Sequence, residues 1–161
     1  VHKLNAKTGN GKITLQSVTG KEAKVETVNG NIELWENTVD HLECETINGQ
    51  ITSNGAFQSA DFETFNGDIQ VENVALKAKN IKVKSGSGAI RLFVPQTLKV
   101  SGEAKTYLGA LHVELFGMKV TETKNEVIQK VMKFENEEQA DLRLFAESKS
   151  ASVTIKNALS M

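Results

Sequence analysis

A nine-residue phrase returns along the first half of the chain at nearly constant spacing. It reads Lys7-Thr8-Gly9-Asn10-Gly11-Lys12-Ile13-Thr14-Leu15, then Glu26-Thr27-Val28-Asn29-Gly30-Asn31-Ile32-Glu33-Leu34. It returns as Glu45-Thr46-Ile47-Asn48-Gly49-Gln50-Ile51-Thr52-Ser53 and Glu63-Thr64-Phe65-Asn66-Gly67-Asp68-Ile69-Gln70-Val71. The glycines at 11, 30, 49 and 67 are 19, 19 and 18 residues apart. Such a period marks a stacked repeat, in which one unit cannot bury its apolar face alone and its neighbours complete the core.

Aligned copies give columns. Two residues past each corner glycine, or past Ala151 in the last copy, lie Ile13, Ile32, Ile51, Ile69, Ile90, Leu111 and Val153. Two before each Thr, or the Ser that replaces it at 85 and 148, lie Ala6, Val25, Cys44, Phe62, Val83, Ala104 and Ala146. Charged residues such as Lys24, Glu43 and Asp61 fall between the apolar ones. That period of two defines half-buried strands on both sides of an Asn-Gly corner. A third apolar anchor (Val18, Val39, Phe57, Val74) sits in the linking segment.

Two topologies compete. Asn-Gly between alternating strands is a strong hairpin signal, which would make a β-sandwich of sequence-adjacent strands. Copies of equal phase, with small inward residues in one and large in the next, favour stacking like on like. The expected fold is therefore all-β, a single-domain parallel β-helix of about seven coils over residues 1–161, with the sandwich as the alternative. Its corners fall near 8–15, 27–34, 46–53, 64–71, 85–92, 106–113 and 148–155.

The last two copies are 42 residues apart, so an insertion spans about 116–140. Strands at 118–123 and 127–134, turned at Lys124-Asn125, fit it. A helix capped by Asn125, with Val127, Ile128, Val131 and Met132 on one face, fits nearly as well. Its place suggests a cap over the C-terminal end of the stack, where an open strand edge needs protection. The N-terminal end carries no comparable cap. The chain opens at Val1 rather than Met and reads as a fragment or processed form, so the lack of a targeting segment excludes little.

Composition narrows function by exclusion. A formal net charge of -1 with scattered Lys and Arg provides no field for nucleic acid. No apolar run approaches the roughly 18 residues of a membrane span. The single cysteine, Cys44, rules out an internal disulfide and a Cys-rich zinc site. It lies in an inward column and reads as a small core hydrophobe. His2, His41 and His112 lack metal-ligand spacing, and 85–88 lacks the Lys of a phosphate loop.

The tandem Thr-x-Asn-Gly-x-Ile copies at 27–32, 46–51 and 64–69, with the Ser-Gly-Ser-Gly-x-Ile copy at 85–90, resemble a bacterial family of β-strand-repeat domains. That family carries an adhesin label but has no known function. It includes the C-terminal β-helical domain of LiaX-type and YvlB-type proteins. The resemblance covers essentially the whole chain. It implies a β-helical domain tied to the cell surface and to sensing envelope damage or antimicrobial peptides, and it supplies no catalytic residues. Leu108 in the Asn column and the copy at 148–155 depart from the pattern.

Two surface features stand out. Glu26, Glu45 and Glu63 should stack into an acidic ladder, flanked by Glu43 and Asp61, that is either solvated or holds a cation such as Ca²⁺. Val28, Ile47 and Phe65 fall between inward Thr and the corner (Asn29-Gly30, Asn48-Gly49, Asn66-Gly67), so alternation points them outward. Trp35 should face out too, with Phe93 in its column, and the five are expected to form an exposed interaction row. The alternative is that another chain segment covers them. The sequence thus points to a non-enzymatic binding module of the cell surface or envelope, with no cofactor and a protein, peptide or envelope component as partner. The cytoplasm stays open as a location. A self-assembling scaffold is the alternative, and a carbohydrate-active β-helix enzyme fits least, since the three acidic coils contain no Arg.

Overall fold

The computed structural model describes residues 2–72, 78–96, 98–115, 118–125, 129–136 and 141–157. Val74, Val127 and Ile128, and the ends of the 116–140 insertion, lie outside them. Among the described residues, fourteen strands make one continuous sheet that curls upon itself. They are β1 (Lys3–Asn10), β2 (Ile13–Gln16), β3 (Thr19–Asn29), β4 (Ile32–Asn48), β5 (Ile51–Asn66), β6 (Ile69–Glu72) and β7 (Asn80–Ser85). There follow β8 (Ile90–Val94), β9 (Val100–Thr106), β10 (Leu111–Glu114), β11 (Met118–Asn125), β12 (Lys130–Asn136), β13 (Leu142–Ser148) and β14 (Val153–Asn157).

Each rung pairs in parallel with the same phase of the next. Thr8 lies beside Thr27, Thr27 beside Thr46, and Thr46 beside Thr64. Ile13, Ile32, Ile51, Ile69 and Ile90 form the other wall of the coil. A sandwich of hairpins is thereby excluded: outside β11 and β12, every pairing among the described residues is parallel. Alternation explains the core, because Val25, Cys44, Phe62, Val83, Ala146 and Ala104 share one buried column. Phe57 and Phe62 meet edge to face, with ring centroids 5.9 Å apart.

The inward threonines satisfy themselves across rungs. Thr27 Oγ1 donates to the Gly11 carbonyl (3.2 Å), Thr46 to Gly30 (3.1 Å) and Thr64 to Gly49 (3.0 Å). Outside, a side-chain ladder runs from Asn66 to Asn48 to Asn29 to Asn10, each amide Nδ2 donating to the next Oδ1 at 2.8–2.9 Å. After the fourth corner the chemistry changes. The Gly88, Gly109 and Ala151 N–H groups turn inward to Ser85, Thr106 and Ser148 hydroxyls. A second bend, which the motif did not announce, lies at Ser17 and Glu36, both with φ of 54°. Buried Asn37 secures it by donating to the Leu15 carbonyl and accepting from the Val18 N–H.

The stack does not follow the chain. The copy at 148–155 was the natural last rung, yet β13 lies between β7 and β9, and β14 between β8 and β10. The chain passes from the fifth coil to the sixth with a rung's space left open, then fills it on its return. The reason is visible at β9. Its far edge is taken by β12, antiparallel, with Phe134 across from Gly102, and β11 pairs outside β12. A returning strand therefore finds its parallel partner only on the near edge. The insertion is thus a β-hairpin rather than a helix, with Val131 and Phe134 buried.

Candidate functional site

The corner geometry places Val28, Ile47 and Phe65 on successive rungs. Each lies between a buried Thr and an exposed Asn whose partners are in register. Inward Thr forces the next side chain outward, and they are exposed to 42%, 49% and 63%. Beyond Phe65 the row ends at Gly86, which lacks a side chain. There a groove of about 470 Å³ opens, bounded by Ile47, Phe65, Glu63, Lys84, Glu147 and Lys149.

Trp35 and Phe93 do not join this row. They lie on the outward side of the opposite wall, and their column runs Trp35, Asn54, Glu72, Phe93. At about 4.8 Å per rung they are separated by two polar rungs. Trp35 is exposed and its indole N–H faces the Glu33 carboxylate at 3.5 Å, while Phe93 is half-buried. Reading outward direction alone missed that columns on different walls never meet.

The three glutamates do stack, Glu26 beside Glu45 and Glu45 beside Glu63. They are not an isolated anionic row. Lys7 lies 3.3 Å from Glu26, and Lys24 reaches both Glu26 (3.3 Å) and Glu43 (2.8 Å). Lys84 stands next to Glu63 in the ladder. Lys24 holds the Glu26 carboxyl below its ordinary range, assisted by Lys7. Glu45 goes the other way. Partial burial raises its carboxyl, and Glu43 and Glu26 add to the effect while Lys24 opposes it. Asp61 is raised by burial as well. Among the described residues no group of three or more His, Cys, Asp or Glu side chains could hold a metal ion.

A raised folded-state pKa means ionisation is harder in the fold than in the unfolded chain. The penalty is full above the folded pKa and vanishes below the ordinary carboxylate value near 4.3. Glu45→Gln should therefore leave stability unchanged or slightly higher at pH 7, with any gain gone by about pH 3. Urea titrations of both proteins at the two pH values measure this; a loss of stability at pH 7 would show that Glu45 is held by attraction.

Cys44 is fully buried between Val25 and Phe62, and burial pushes its thiol up, away from the reactive thiolate. His41 Nδ1 lies 2.6 Å from Ser59 Oγ, and His112 Nε2 lies 3.0 Å from a Glu114 oxygen. Both histidines are exposed, and among the described residues neither belongs to a cluster that could hold a metal ion.

A parallel coil with threonine and asparagine ladders defines a β-solenoid repeat domain. The chain belongs to the family described as Toastrack DUF4097, whose profile matches residues 1–156. It is similar to the uncharacterized protein YvlB of Bacillus subtilis (strain 168), 34% identical over 104 residues. That alignment covers 63% of this chain and 28% of the relative, so the chain matches little over a quarter of its length. No solved structure matches it. No helix among the described residues is long and apolar enough to cross a membrane.

Proposed function

We propose that the domain is a non-enzymatic binding module of the bacterial cell envelope or surface, of the adhesin type, with a regulatory or sensing role in envelope stress. The observation that carries this is the outward row Val28, Ile47 and Phe65, lying beside the Glu26, Glu45 and Glu63 column and ending in the groove at Gly86. Apolar side chains repeated at rung spacing cannot be hidden by local rearrangement, because the inward threonines hold their direction. An extended protein or peptide segment could lie along them, with apolar side chains on the row and basic ones toward the carboxylates. No nucleic acid or cofactor is called for.

The replacement of Val28, Ile47 and Phe65 together by Ser tests this. Binding to isolated envelope fractions should fall at least tenfold while the thermal midpoint stays within a few degrees, since all three sites are exposed. Unchanged retention would remove the row from the proposal. Cleavage of a glycan by the intact domain would overturn the non-enzymatic reading itself.

A further inference from the structure

The wall that carries the outward row also carries charge, and that charge is arranged about a centre. In stacking order its strands are β1, β3, β4, β5, β7, β13 and β9. We propose that this wall is the interface of a homodimer, in which a second copy lies face to face with its rungs running the opposite way. The twofold axis runs along the strands, between β5 and β7. The proposal rests on the reading of Val28, Ile47 and Phe65 as an interaction row, and it names a second copy of this chain as a partner of that row.

Charge is the first support. From β3 to β9, the outward column just before the Thr positions reads Glu26, Glu45, Glu63, Lys84, Glu147, Lys105. The next outward column reads Lys24, Glu43, Asp61, Lys82, Phe145, Glu103. An axis between β5 and β7 sets β5 against the second copy's β7, and β3 against its β9. Glu63 then meets Lys84, Asp61 meets Lys82, Glu26 meets Lys105 and Lys24 meets Glu103. The twofold symmetry makes each of these contacts twice. Centring the axis on β5 would set Glu63 and Asp61 against themselves, and centring it on β7 would do the same to Lys84 and Lys82.

Shape is the second. Phe65 is the most exposed member of the row, and the next place along it is Gly86. The same axis puts Phe65 of each copy over Gly86 of the other, a projecting ring against the groove that opens there. The gap is fixed by the backbone, because a Cβ on Gly86 would lie 2.4 Å from the Phe65 carbonyl oxygen. On β9 the equivalent place is filled. Tyr107 follows Thr106 as Gly86 follows Ser85, and Lys105 Nζ lies 5.4 Å from the centre of the Tyr107 ring. Lys84 holds the place of Lys105 beside a residue that has no ring to offer. The Phe65 ring of the second copy supplies it.

The remaining contacts fit the same register. Val28 meets Tyr107, and Ile47 meets the aliphatic stem of Lys149. Among the outward charges of these two columns, Glu45 against Glu147 is the like-charge contact. A copy docked with each rung against the same rung would instead set the acidic strands β3, β4 and β5 against their own counterparts, Glu26, Glu45 and Glu63 among them. Opposed charges thus select the antiparallel arrangement, and the ring over Gly86 gives it an apolar centre.

Analytical ultracentrifugation of the full chain at about 100 μM should show a dimer, with a Kd in the micromolar range or below. Glu63→Lys and Lys84→Glu each set like charges opposite one another, so each alone should raise the Kd at least tenfold. Mixed in equal amounts, the two variants should form a heterodimer close to the original in affinity, because each offers the charge that the other lacks. That rescue also shows that both variants are folded. Phe65→Ala should weaken the dimer at least tenfold, and Glu45→Gln should tighten it. A chain that stays monomeric, a dimer indifferent to both charge reversals, or two variants that fail to rescue one another would each overturn the proposal. Retention on envelope fractions is scored on the same variants, whose apolar row is intact. No dimer with retention preserved sinks the homodimer alone, and a dimer without retention sinks the envelope reading alone.

Discussion

Ending the chain before Asp141 should unfold about forty residues that remain in it. The deleted part contains β13 and β14, which hold the sixth coil to the fifth. Without them β9 keeps only β12, and β10 has no partner strand. A coil and hairpin with one exposed apolar face each have little stability of their own. Residues 98–136 should then exchange amide hydrogens at near-unstructured rates and be cut by protease, while the coils up to Val94 remain protected. A solenoid stacked in chain order would behave otherwise, losing only its last rung. If β9 amides stay protected in the shortened protein, the sixth coil can dock on the fifth directly, and the interposed rung is dispensable.

Gly49→Val should cost about 3 kcal/mol, the upper part of the range for overpacking a site that cannot relax. A Cβ there would lie 1.9 Å from the Gly30 carbonyl oxygen and 2.6 Å from its carbon. Both are backbone atoms, held by rung pairing on either side, so no flexible side chain can swing away. For a chain of this size the thermal midpoint should drop by roughly 6–12 °C. Ala151 occupies the equivalent place in the interposed coil, where the corner is Ser-Lys-Ser, so valine rather than alanine is the decisive replacement. A neutral result would mean that the rungs can part at the corner without loss.

The corner glycines are required by a contact that local turn chemistry does not report. Asn-Gly suggests a left-handed residue at the corner, which by itself would exclude valine through φ. Gly30 and Gly49 are not among the positive-φ residues, which include Gly11, Ser17 and Glu36. What demands glycine is the carbonyl of the rung beneath, a tertiary contact that no local turn preference reports. The outward row divides in a similar way. Val28, Ile47 and Phe65 were legible because alternation and a constant period locate them. Their distance from Trp35 and Phe93 was not, since alternation names a side of the strand and says nothing of which wall carries it. The acidic column was legible as a stack. Its lysine partners came from a register shared with Lys7, Lys24 and Lys84 that only paired rungs reveal.

The sequence by itself determined the repeat and which side chains face the core, and it favoured the parallel coil that the pairing of the rungs then established. Those properties follow from period-two alternation and from the stacking of like on like, and both are written in every copy. Only the tertiary structure decided the order of the rungs. Copies with the same pattern present nearly the same edge, so nothing in residues 148–155 prefers one neighbour over another. The choice was made elsewhere, where the β11–β12 hairpin covers the far edge of β9 and leaves the returning strand a single place to pair.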